Sequence, residues 1–147
     1  MTSFKFRLES ALRLRHLVTE SARNRLQELI AQQKRLENSL ASLDDERAQA
    51  VSFVRSANEP GAQDLRALSL FSLGLQGRRK ALEEAIADMA AQIAEQKYRL
   101  LAAERDERSV LKLRDRRFAE WNLKVTREIE ATSQELWLLT HTTSMEP

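Results

Sequence analysis

The chain has 147 residues, with 24 Lys and Arg against 22 Asp and Glu, no cysteine, three glycines, two prolines and eight aromatic side chains. Ala, Leu, Glu, Lys and Arg supply 82 residues, the composition of long helices and coiled coils, and turn residues are too few for a sandwich, a barrel or an alternating α/β sheet, so an enzyme built on those folds is not expected. The near balance of charge argues against a globally basic nucleic-acid binder, and the lack of cysteine removes disulfides, thiolate metal sites and thiol redox chemistry.

The first twelve residues carry Lys5, Arg7 and Glu9 among their apolar side chains, which breaks the core a secretory signal needs. The longest uncharged run, Ala67 to Gly77, is 11 residues, against roughly 20 for a bilayer span. A cytoplasmic protein without membrane insertion is expected. From Leu8 onward, alternate steps of four and three residues meet Leu8, Leu12, Ala22, Leu26, Leu29, Leu36, Leu40, Leu43, Ala50 and Val54, ten apolar residues in fourteen steps. A period of 3.5 sustained this long is a coiled-coil seam. It predicts a first helix over about 4–57.

Asn58-Glu59-Pro60-Gly61 ends that pattern. Proline removes a backbone donor and disfavours helix at Glu59, and glycine accepts dihedrals that other residues resist, so a bend is predicted at about 58–63. A second helix follows at about 64–139, its start loosened by Gly74 and Gly77. Its seam runs through Leu82, Ile86, Met89, Ile93, Gln96, Leu100, Ala103, Glu107 and Val110, then slips by one residue to Leu111, Phe118, Val125 and Leu139, which reads as a local change of supercoil. Residues 140–147 show no periodicity and read as a frayed tail.

Two seams joined by a short break bury their stripes most simply as an antiparallel hairpin. The fold class is therefore all-α: one coiled-coil domain over 1–147, a long two-helix antiparallel hairpin whose second helix extends beyond the first. A bend near residue 60 sets Phe4 roughly opposite Arg116. About 20 residues of the second helix, about 30 Å, are then left without a partner.

No P-loop string occurs. His16 and His141 are far apart in sequence, and Asp44-Asp45 and Glu83-Glu84 are neighbours that point to different sides of a helix, so neither a metal site nor an acid/base pair is expected. The run Leu68 to Leu75 is more apolar than a seam requires. It reads equally as a cap on the hairpin's own bend and as a partner patch at its tip. Residues 1–25 hold six bases against two acids, 99–117 hold seven against four, and 128–147 hold four acids and no base. Both basic stretches meet at one end of the hairpin, as a solvated face or as a docking surface for an acidic protein. Phe118, Trp121 and Trp137 lie at or beyond the end of pairing, where aromatic and arginine side chains commonly anchor interfaces.

The opening Phe4-Lys-Phe-Arg-Leu-Glu-Ser-Ala-Leu-Arg-Leu-Arg15, together with Leu111 to Trp121 and Arg127-Glu-Ile-Glu-Ala-Thr-Ser-Gln-Glu-Leu136, resembles the FliJ family, a soluble stalk component of bacterial flagellar type III export. The resemblance covers nearly the whole chain. It implies a non-enzymatic antiparallel coiled coil, without cofactor or metal, whose paired ends enter the hexameric flagellar export ATPase and promote its assembly and activity. By position, the implied ATPase-facing residues are Phe4, Phe6, Arg7, Arg15, Arg114, Arg117, Phe118 and Trp121. It further implies contact with the cytoplasmic domain of the export gate protein and with export chaperones near the bend. The implied residues there are Leu75, Leu82, Ala85 and Met89, with Phe71 in place of the aromatic that Arg78 lacks. The implied location is peripheral, at the inner-membrane base of the flagellum. The alternatives are the equivalent stalk of a virulence secretion system, a generic tether or dimerisation module, and, least favoured by the interspersed acids, a nucleic-acid-binding hairpin.

Overall fold

The structure, a computed structural model, describes residues 2–143. Among these there are two helices and no strand: α1, Glu9–Ser56, and α2, Ala62–Thr142, with 48 and 81 residues. The chain divides into two compact units, one of Glu20–Leu101 and one built from both terminal portions, up to Thr19 and from Ala102. In each unit α1 and α2 pack side by side and antiparallel.

In the unit of Glu20–Leu101 the seam buries Leu29 and Leu43 of α1 against Leu75 and Ile93 of α2. The 3.5-residue steps continue upstream of Leu82 through Arg79, Leu75, Ser72 and Leu68, all of them at least half-buried. Gln96 is also buried, and its Nε2 donates to the Ala22 carbonyl at 3.1 Å, a polar bond across the two helices. Arg79 Nη1 reaches Asp44 Oδ1 at 2.7 Å and its Nε reaches Glu83 at 3.0 Å. The hydrogen bond to Glu83, then the charge of Asp44, hold the Arg79 guanidinium above its ordinary pKa.

In the other unit Leu12, Thr19 and Ala103 are buried. Thr19 is 2 % exposed and carries a hydroxyl on a seam position; it turns that hydroxyl back onto the Arg15 carbonyl at 3.0 Å, leaving its methyl to pack. His16 Nδ1 lies 2.8 Å from Glu107 Oε1, Arg15 3.6 Å from Asp106, and Arg114 3.8 Å from Glu9. These pairs fix the register of α1 on α2. No buried side-chain polar atom among the described residues lacks a partner.

Four features differ from or refine the sequence reading. The first helix starts at Glu9 rather than near residue 4. Residues 2–6 are not helical, and a turn at Arg7 and Leu8 is closed by the Glu9 N–H donating to the Phe6 carbonyl at 3.2 Å. The alternation Phe4-Lys5-Phe6-Arg7 explains this. An extended chain turns residues two apart to the same side, and Phe4 and Phe6 are indeed half-buried while Lys5 and Arg7 are exposed; a helix would set the two rings on different faces.

The bend is also built differently. No described glycine has a positive φ. Gly61 instead sits at the N-cap of α2: its carbonyl accepts from the Leu65 N–H at 3.2 Å, and its own N–H donates to the Asp64 carboxylate at 3.2 Å. That is the reciprocal half of a capping box, and it starts α2 at Ala62.

The slip after Val110 coincides with a change in which positions of α2 are covered. Leu113, Trp121 and Val125 are half-buried, while Leu111, Phe118 and Leu139 are exposed. The slipped series is a separate stripe. Finally, α2 runs on to Thr142, three residues into the expected tail, and Thr140 and Thr142 turn their hydroxyls back to donate to the Leu136 and Leu138 carbonyls at 3.0 and 2.8 Å. Thr143 Oγ1 donates to the Leu139 carbonyl at 2.7 Å, one of the last four carbonyls of the helix, which lack intrahelical partners. The rest of the tail reading, 144–147, lies outside the described residues. No described helix is long and apolar enough to cross a membrane.

Candidate functional site

The terminal unit carries a cluster of three rings. Phe4, in the non-helical segment before α1, meets Phe118 edge-on at 5.2 Å between centroids with 81° between planes. It lies 5.8 Å from Trp121, and Phe118 and Trp121 stack at 5.8 Å and 30°. Such pairs are favourable beyond the area they bury. Phe118 and Trp121 can meet because they are three residues apart on one helix.

Beside the rings lies a groove of about 800 Å³. Phe4, Phe6, Leu8, Leu113 and Trp121 form its apolar lining, and Lys5, Arg7, Arg117 and Lys124 its basic rim. The one carboxylate there, Glu120, accepts from Arg117 at 3.3 Å. Four cations against one anion on an apolar floor suit an acidic surface carrying an apolar or aromatic knob.

Of the residues singled out from the sequence, Phe4, Phe6, Arg7, Arg117 and Trp121 converge on this groove, and Phe118 completes the ring cluster. Arg15 and Arg114 lie outside its lining and are engaged with Asp106 and Glu9. Lys5, Leu113 and Lys124 were missed. Lys124 follows Trp121 by three residues, one turn along the same helix, and that spacing was the available signal.

The unit of Glu20–Leu101 carries a second groove, of about 940 Å³, near the bend. Phe53 and Val54 of α1, with Ala57 just past its end, face Ala67, Leu68 and Phe71 of α2, with Glu46 and Asp64 among its polar lining and no base. Phe53 is 79 % exposed. It was missed because it precedes a seam residue, Val54, and so falls off the 3.5-residue count. Leu70 and Leu73 are exposed next to Phe71, whereas Leu75 is 5 % exposed and packs in the seam. Leu82 and Met89 are half-buried on that seam and Ala85 is half-buried beside it. Of the five residues considered for this end, Phe71 is the one that lines the groove. Within the apolar run Leu68 closes the helix pair, while Leu70, Phe71 and Leu73 are exposed.

No group of His, Asp and Glu among the described residues is placed to hold a metal ion. The family model described as "Flagellar FliJ protein" matches residues 4–132. No curated protein and no solved structure matches the chain.

Proposed function

The chain belongs to the flagellar FliJ protein family and is a component of flagellar type III protein export, and from that premise we propose that it is a non-enzymatic stalk whose two ends take different partners. The basic-aromatic end inserts into the hexameric export ATPase and promotes ring assembly and hydrolysis. The observation that carries this reading is the Phe4, Phe118 and Trp121 cluster beside a rim of Lys5, Arg7, Arg117 and Lys124. Rings and arginines of this kind supply most of the energy of protein interfaces, and excess cations speed the approach to an acidic surface.

The bend end, through Phe53, Leu70 and Phe71, contacts the cytoplasmic domain of the export gate and receives export chaperones. Leu75, Leu82 and Met89 support that surface from beneath, through the seam. The protein works at the inner-membrane base of the flagellum, held there by partners. The test is ATP hydrolysis and ring assembly by the cognate export ATPase, with the chain and with its Arg117→Glu/Trp121→Ala variant. Stimulation by the chain that the variant loses supports the reading. A variant that stimulates as well as the parent chain, or a parent chain that neither binds nor stimulates, contradicts it.

A further inference from the structure

Leu111, Phe118, Val125, Ile129 and Leu136 follow one another at intervals of seven, seven, four and seven residues. At 100° per residue these five side chains fall within about 40° of arc on α2. The slipped periodicity enters this stripe at Leu111, Phe118 and Val125, where Leu111 borders α1, Phe118 meets Phe4 and Val125 is half-buried, and the stripe is open from Ile129 onward. Ile129 is 45 % exposed and Leu136 58 %, and every residue from 126 to 143 is exposed. An apolar stripe with heptad spacing on an unaccompanied helix is half of a helix–helix interface.

The charges beside the stripe identify the other half. Arg117, Lys124, Glu128 and Glu135 each stand one position before a stripe residue, Phe118, Val125, Ile129 and Leu136. All four therefore lie on the same flank of the helix, two cations toward its N-terminal side and two anions toward its C-terminal side. Among the described residues none of Lys124, Glu128 and Glu135 makes an ion pair, and Arg117 has one, the exposed intrahelical contact to Glu120.

We infer that a second copy of this chain docks antiparallel along this stripe. A two-fold axis across the helix brings like flanks of the two copies face to face. In the register where facing residue numbers sum to 254, Phe118 meets Leu136 of the other copy and Val125 meets its Ile129. The same register brings Arg117 beside Glu135 and Lys124 beside Glu128, and symmetry doubles both pairs. A parallel two-fold dimer would set this flank against the opposite flank of the other copy, so the self-complementary charge order is used only in the antiparallel arrangement. The stripe includes Phe118 and adjoins Arg117 and Trp121. If those residues face the ATPase, the homodimer and the ATPase complex exclude one another; that consequence alone rests on the function proposed above.

The test uses the full chain by itself, so it is independent of any ATPase. Sedimentation over a concentration series is expected to show a reversible monomer–dimer equilibrium that weakens with salt. Glu128→Lys/Glu135→Lys makes the flank wholly basic and Arg117→Glu/Lys124→Glu makes it wholly acidic. Each variant alone is expected to raise the dissociation constant by more than about tenfold, since four exposed pairs turn from attractive to repulsive. An equimolar mixture of the two restores association as a heterodimer, which also shows that both variants are folded. A parent chain that stays monomeric, variants that dimerise like the parent, or a mixture that stays monomeric would each overturn the inference.

Discussion

Replacing Gly74 and Gly77 together by alanine tests the structure of α2 where neither space nor backbone conformation requires glycine. Both lie inside the helix, off the seam positions Ser72, Leu75 and Arg79. A Cβ placed at either meets no atom within 4 Å, and neither glycine has a positive φ. The substitution therefore adds helix propensity without steric cost, about 1 kcal/mol at each position and about 2 kcal/mol for the pair. An unfolding entropy of about 2.1 cal/mol/K per residue converts this into a rise in thermal midpoint of about 6 °C if the 147 residues melt together. The rise is about twice that if the unit of Glu20–Leu101 melts by itself. Far-ultraviolet circular dichroism on heating reads the shift. An unchanged or lowered midpoint would refute the reasoning, because it would mean that α2 is not helical there or that another group occupies the space.

Gln96→Leu replaces a buried interhelical hydrogen bond by a side chain of similar size, and the Ala22 carbonyl keeps its own helix partner. Burial of leucine outweighs the lost bond, so denaturant unfolding should show about 1 kcal/mol of added stability; a loss would mean that the bond matters more than the seam. Phe4→Ala removes the ring that covers Trp121. In a Trp137→Phe background the emission of Trp121 should shift to the red, and an unchanged spectrum would show that Phe4 does not shield it. Arg79→Gln breaks an exposed pair with Asp44 and should cost less than about 1 kcal/mol, shrinking further in high salt; a cost several times larger would contradict the exposure of that pair.

The helix pair was legible because one constraint, a 3.5-residue period, writes itself across most of the chain, and Leu12, Leu29, Leu43, Ile93 and Ala103 are buried where that period places them. The same count marked the positions of Thr19 and Gln96 as buried but not how they are satisfied, which depends on a carbonyl one turn back or on the other helix. Local patterns that compete with the period were harder to read. The Phe4–Phe6 alternation is a strand-like signal only two repeats long, and its meaning comes from the rings of Phe118 and Trp121 far along the chain. At Thr140 and Thr142 the hydroxyls bond back along the helix, which hydropathy does not register. At the bend end, the exposure of Phe53 and the burial of Leu75 follow from packing between α1 and α2, so resemblance alone could not separate residues that present a surface from residues that support it.

The division of partners between the two ends is tested most directly by crosslinking. The chain has no cysteine, so Ala119→Cys beside the ring cluster and Ser69→Cys beside the bend groove each supply a unique exposed attachment point for a photocrosslinker. Irradiation in the presence of the export ATPase and the cytoplasmic domain of the gate should join position 119 to the ATPase and position 69 to the gate. Adducts between position 69 and the ATPase, with none from position 119, would contradict the assignment of the basic-aromatic end as the one that enters the ring.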